Sequence, residues 1–167
     1  MLGLSSLLQA KAKSAEQKDT AVIFVWLPGG APHMETYDMK PDAPSTHRGE
    51  FRPIKTNVPG MEVCELLPKH AKIADKYCLI RSIHHDFSDH GGGHKRFLTG
   101  RDPKQPTGFV NDYPCVGSMA HKALDEQGRI GDMPGYVALG NGRVNNVNTF
   151  SFGSAYLGAE THPFAIS

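Results

Sequence analysis

From His84 to Arg101 the chain reads HHDFSDHGGGHKRFLTGR, which places His84, His85, Asp86, Asp89, His90 and His94 within a short stretch. Imidazoles and carboxylates bind metal ions or move protons, and the glycines between them let backbone amides approach a ligand closely. Imidazole nitrogen and carboxylate oxygen suit zinc, manganese or iron, and the i, i+4 spacing of His90 and His94 sets two ligands on one helical face. Gly91, Gly92 and Gly93 weaken that geometry, since each glycine costs a helix about 1 kcal/mol relative to alanine. A loop or a helix N-terminus is the expectation here. Such a terminus would offer free amides and a positive dipole end to an anion. A solvated polar loop whose histidines bind nothing explains the same residues.

A second candidate follows the apolar run Ala21 to Leu27: the Pro28-Gly29-Gly30 turn, with His33, Glu35 and Asp38 just beyond it. A tight turn with exposed polar residues is the simpler account of that segment. His47, His70, His121 and His162 stand alone and read as surface or hydrogen-bonded structure. Asn145, Asn146 and Asn148 either line a polar pocket or belong to a turn-rich loop.

The elements that would position these groups alternate. Ala21 to Leu27 (AVIFVWL), with Trp26 in its core, reads as a central strand of a covered, parallel sheet. Residues 51 to 63, split by Pro59-Gly60, read as a small hairpin. Residues 66 to 77 have helical spacing of apolar side chains, and 78 to 83 (CLIRSI) read as a second strand. That order implies a right-handed crossover and a parallel pair. Residues 113 to 127 form a further helix closed by Gly128, and 136 to 139 a third strand. Ligands collect beyond the carboxyl ends of parallel strands, so the Gly29-Gly30 turn and the histidine cluster converge if the first two strands are neighbours.

The chain of 167 residues is long enough for one domain. Its 39% hydrophobic and 21% charged content is that of a folded globular protein. A net charge of +1 gives no electrostatic footprint for nucleic acid and no pull toward anionic membranes. Cys64, Cys78 and Cys115 include no CxxC pair and are too few for a disulfide framework. Residues 1–18 read as a short amphipathic helix or the remnant of an export signal, with an apolar run far too short to span a bilayer. Residues 19–167 then form the N-terminal portion of one α/β domain that ends without a closing element.

From Val22 onward the chain resembles the domain of unknown function 1501 family, bacterial secreted proteins related to sulfatases and alkaline phosphatases. The resemblance rests on residues 23 to 44 (IFVWLPGGAPHMETYDMKPDAP), 48 to 60, 78 to 101 and 152 to 166. It implies an alkaline-phosphatase-like α/β fold, a three-layer sandwich around a mostly parallel sheet, incomplete in this chain. It also implies export to the periplasm or beyond. Sulfatases carry C/S-x-P-S-R-x-x-x-L-T-G-R, whose first residue becomes the nucleophile. Alignment on Leu98-Thr99-Gly100-Arg101 puts His90 at the nucleophile position and His94 at the arginine. Pro28 or Gly29 stands where the superfamily has a metal-binding aspartate, and its later Asp and His ligands would fall beyond Ser167.

The resulting expectation is a metal-dependent hydrolase of phosphate or sulfate esters. His90 and His94 would be catalytic, and Asp86, Asp89, His90, His94 and Glu35 would hold a divalent ion (zinc, manganese or calcium). Gly29, Gly30, His33 and Arg101 would contact the substrate, an anionic small molecule. The alternatives are a non-catalytic module that binds sulfated or anionic glycans, or an inactive fragment.

Overall fold

The computed structural model describes residues 20–140, 143–144 and 147–166, with the side chains of 143–144 and 147–149 excepted. The expected N-terminal helix or signal remnant over 1–18 lies outside that description, as do Asn141, Asn145, Asn146 and the side chain of Asn148.

The 51–63 segment folds as its turn chemistry predicts. Strand β1 (Pro53–Lys55) pairs antiparallel with β2 (Glu62–Cys64), with Ile54 opposite Val63. Gly60 has φ +78, a backbone state that residues with a Cβ rarely adopt. Thr56 fastens the turn, its hydroxyl donating to Met61 O at 2.8 Å and accepting from Val58 N at 3.1 Å. Val63 and Cys64 are fully buried, and helix α1 (Pro68–Ala71) packs on both strands.

The helix expected over 66–77 stops after one turn and resumes as a 3-10 turn, Ala74–Lys76. Asn57 is the cause. In an uninterrupted helix the Asp75 N–H would donate to Ala71 O. Instead Ala71 O accepts from Asn57 N at 3.0 Å, and Asp75 N donates to Asn57 Oδ1 at 3.3 Å. Both halves of the helical bond are taken by one residue of the hairpin.

Helix α2 (His90–Thr99) follows, then α3 (Val116–Asp125). Strand β3 (Val137–Leu139) pairs in parallel with β6 (Phe164–Ile166), and β4 (Arg143–Val144) pairs antiparallel with β5 (Val147–Phe150). Two 3-10 turns, Ala155–Leu157 and Ala159–Thr161, rest on α3.

The expected three-layer sandwich with a mostly parallel sheet is therefore not the fold. Among the described residues the strands form three separate two-stranded sheets, only one of them parallel. Ala21 to Leu27 and Cys78 to Ile83, expected as adjacent central strands, belong to no ladder. An apolar β-branched run favours extended backbone but does not supply the partner that makes it a strand. Ala21 to Leu27 instead lies against α2, where the Phe24 and Phe97 rings sit 5.6 Å apart. Arg81 turns the second run toward the hairpin, 3.5 Å from Glu62 O and 4.0 Å from Asp38.

Candidate functional site

Helix α2 places the histidines. Asp89, with extended backbone, is its N-cap and accepts the Gly92 amide at 2.7 Å. Gly100 closes the other end in the left-handed conformation (φ 70), with its amide donating to Arg96 O at 2.9 Å. A strong cap at each end holds a helix that three consecutive glycines would otherwise weaken.

The two middle glycines of the helix serve packing. A Cβ on Gly92 would stand 2.7 to 2.9 Å from the Phe87 side chain, and one on Gly93 would stand 2.9 Å from His85 Nε2. The absence of side chains there lets Phe87 and His85 fold back over the first turn. His85 Nδ1 accepts the Phe87 amide at 3.2 Å, so a neutral His85 carries its proton on Nε2.

The opposite face of α2 is anchored by a buried cation. Lys95, 1% exposed, donates from Nζ to Gln105 O at 2.7 Å and Val110 O at 2.8 Å. Thr99 Oγ1 caps Lys95 O at 2.7 Å. This fixes the helix rotation so that His90, His94 and Phe97 share the other side.

That side forms one wall of a cleft of about 600 Å³. The facing wall is the segment from Val25 to Gly30, and His85, Phe87, Ser88 and Asp89 form the rim. His90 and His94 lie with ring centroids 6.4 Å apart, inclined by 26°. Trp26 meets His94 edge-on at 4.9 Å and Phe152 at 5.3 Å. Burial pushes the His94 imidazole below its ordinary value; His90 and His85 add to that, and a hydrogen bond to the Pro28 backbone partly opposes it. Burial thus favours the neutral form of His94.

The structure therefore brings together part of the expected set. His90, His94, Asp89, Gly29 and Gly30 line one cleft. Asp86 is exposed and does not line it. Glu35 packs on Gly49, with its Oε1 3.3 Å from Glu50 N, and His33 sits in the same 3-10 turn. Arg101 follows the far end of α2, about 15 Å along an axis that rises 1.5 Å per residue. Its guanidinium lies over the Tyr113 ring at 5.6 Å.

The described donors of the cleft do not make up a metal shell. Among the described residues no group of three or more His, Cys, Asp or Glu side chains is placed to hold an ion. Asp89, the one carboxylate on the cleft, is engaged by the Gly92 amide.

Trp26 and Phe97 belong to the site without having been expected there, while His85 comes with the histidine cluster. The signal for Phe97 was available: 90, 94 and 97 fall on one helical face. Trp26 read as core because its run looked like a covered strand.

The cleft is thus lined by imidazoles, aromatic rings and the Gly29-Gly30 turn. No helix among the described residues is long and apolar enough to cross a membrane. Residues 19–167 match the family model "Protein of unknown function (DUF1501)", and the chain belongs to that family. No curated protein and no solved structure matches it.

Proposed function

We propose that the cleft is an acid–base site for hydrolysis of a phosphate or sulfate ester, in keeping with the sulfatase and alkaline-phosphatase resemblance. The observation that carries this reading is the meeting of the Gly29-Gly30 turn with His85, His90 and His94 in one cleft. His94, kept neutral by burial, accepts a proton from the attacking water. The water oxygen bonds to phosphorus or sulfur, the bond to the leaving oxygen breaks, and exposed His90, entering the step protonated, gives its proton to that oxygen. His94 then releases its proton to solvent and His90 takes one up. A second imidazole so close lets donor and acceptor act on one bound group. No step is assigned to a metal ion, since the described donors do not form a shell. Export to the periplasm or beyond belongs to the same proposal, and cell fractionation of the natural protein tests it.

The direct test is turnover of 4-nitrophenyl phosphate and 4-nitrophenyl sulfate, with and without added zinc, manganese or calcium. His94→Gln keeps a polar side chain against Trp26 and is expected to lower kcat/KM by about 100-fold or more. His90→Ala is expected to slow esters with poor leaving groups more than nitrophenyl esters, which need little protonation. Wild-type protein with no turnover above the buffer blank under any of these conditions refutes the proposal.

A further inference from the structure

The cleft's chemistry also constrains what enters it, taking as given that it is a ligand site. We infer that its occupant is a flat apolar ring bearing one anionic head group, and not a sulfated glycan. No Lys or Arg side chain lines the cleft among the described residues. The two cations that the same helix carries are committed elsewhere. Lys95 is buried against the carbonyls of Gln105 and Val110, and Arg96 pairs with Asp102 at 3.1 Å and donates to Gly100 O. Apart from the imidazoles, the one ionisable group on the lining is the Asp89 carboxylate, which repels anions. A polyanion entering here would lose its hydration with no guanidinium or ammonium to replace it.

The walls favour a ring. Leu27 is 65% and Phe97 48% exposed, so both present apolar surface toward solvent beside the imidazoles. Trp26 adds an indole held edge-on to His94. A volume of about 600 Å³ suits a ligand of one or two rings with substituents. Burial of such a ring gains from the apolar area and from ring–ring geometry. The imidazoles supply N–H donors enough for one anionic head.

Trp26 is the chain's single tryptophan, so its fluorescence reports occupancy of this cleft directly. The probes are benzenesulfonate, methanesulfonate (the same head without the ring) and a sulfated disaccharide. Benzenesulfonate is no ester and cannot be hydrolysed, so its binding is independent of turnover. Saturable quenching by benzenesulfonate, at least about tenfold tighter than by either other probe, is the expected result. Phe97→Ala and Leu27→Ala are each expected to weaken it several-fold; both side chains are exposed, so loss of fold is not anticipated, and an unchanged circular dichroism spectrum confirms it. A disaccharide that binds as well as benzenesulfonate, a ring that confers no advantage over methanesulfonate, or no saturable quenching at all would each overturn the inference. Binding of benzenesulfonate by a protein that hydrolyses nothing removes the hydrolase reading and leaves this one standing. Turnover without ring preference does the reverse.

Discussion

At the scale of single residues, Gly92 and Gly93 make the sharpest contrast. Both lie inside a helix, where alanine is favoured over glycine by about 1 kcal/mol. At Gly92 the new Cβ meets Phe87 Cβ and Cγ, at 2.9 and 2.8 Å, near the stem of a side chain that cannot swing clear. The clash outweighs propensity there, and Gly92→Ala is expected to destabilise by about 1–3 kcal/mol in chemical denaturation. At Gly93 the new Cβ meets only the tip of His85. Gly93→Ala is expected to leave stability equal or slightly raised while displacing His85 from the cleft, visible as a shifted imidazole resonance. Equal effects of the two substitutions would contradict this packing.

His94 gives a pH dependence of fixed sign. Its folded value lies below the ordinary 6.5, so the unfolded chain binds the proton more readily. Its contribution to stability is complete above pH 6.5 and is lost as pH falls through the lowered folded value. His94→Gln should flatten the denaturation midpoint across that interval, and an unchanged slope would show that the imidazole is not shielded.

At the scale of elements, the chain's punctuation was legible and its pairing was not. Pro59-Gly60 marked the hairpin and Met133-Pro134-Gly135 the approach to β3, because each turn is decided by its own residues. The helix expected over 113–127, by contrast, runs only from Val116 to Asp125 and is capped by Glu126 rather than Gly128. The helix over 66–77 misled because Asn57, several residues upstream, takes both its broken hydrogen-bonding groups. The run AVIFVWL misled for a related reason: extended preference is local, but a ladder needs a partner elsewhere in the chain. The candidate site was half legible. Asp89, His90 and His94 sit close in sequence on one helix, whereas Glu35, His33 and Arg101 could be placed only by knowing which elements meet.

The cap of α2 offers a test at this scale. Asp89→Ala removes the acceptor for Gly92 N and is expected to cost about 1 kcal/mol. Asn is an equally good cap, so Asp89→Asn should hold stability near wild type while removing the cleft's negative charge. It should therefore tighten benzenesulfonate binding. Asn and Ala variants of equal stability would show that the cap contributes nothing.

At the scale of the whole molecule, the described residues do not share one apolar interior. Eight apolar residues are buried, among them Val63, Cys64, Leu98 and Cys115, while twenty-one large apolar side chains are exposed. Leu139 at 80% and Ile23 at 90% exposure show that the parallel pair β3–β6 and the Ala21 to Leu27 run each leave apolar side chains uncovered. Parallel strands ordinarily have both faces covered, and a two-stranded sheet is marginal by itself. Purified alone, the 167-residue chain is expected to bind an apolar dye, to associate as concentration rises and to melt over a broad range. A monodisperse sample with a single steep transition and no dye binding would refute that expectation.

The enclosed ammonium of Lys95 has a chemical consequence for anyone handling this protein. Acylating reagents need a free, accessible amine, and this one is wrapped by the carbonyls of Gln105 and Val110. Mild acetylation followed by peptide mass mapping should mark exposed Lys69 and Lys72 early and spare Lys95, until denaturant opens the 101–112 loop. The moment at which that single peptide gains mass dates the release of helix and loop from each other.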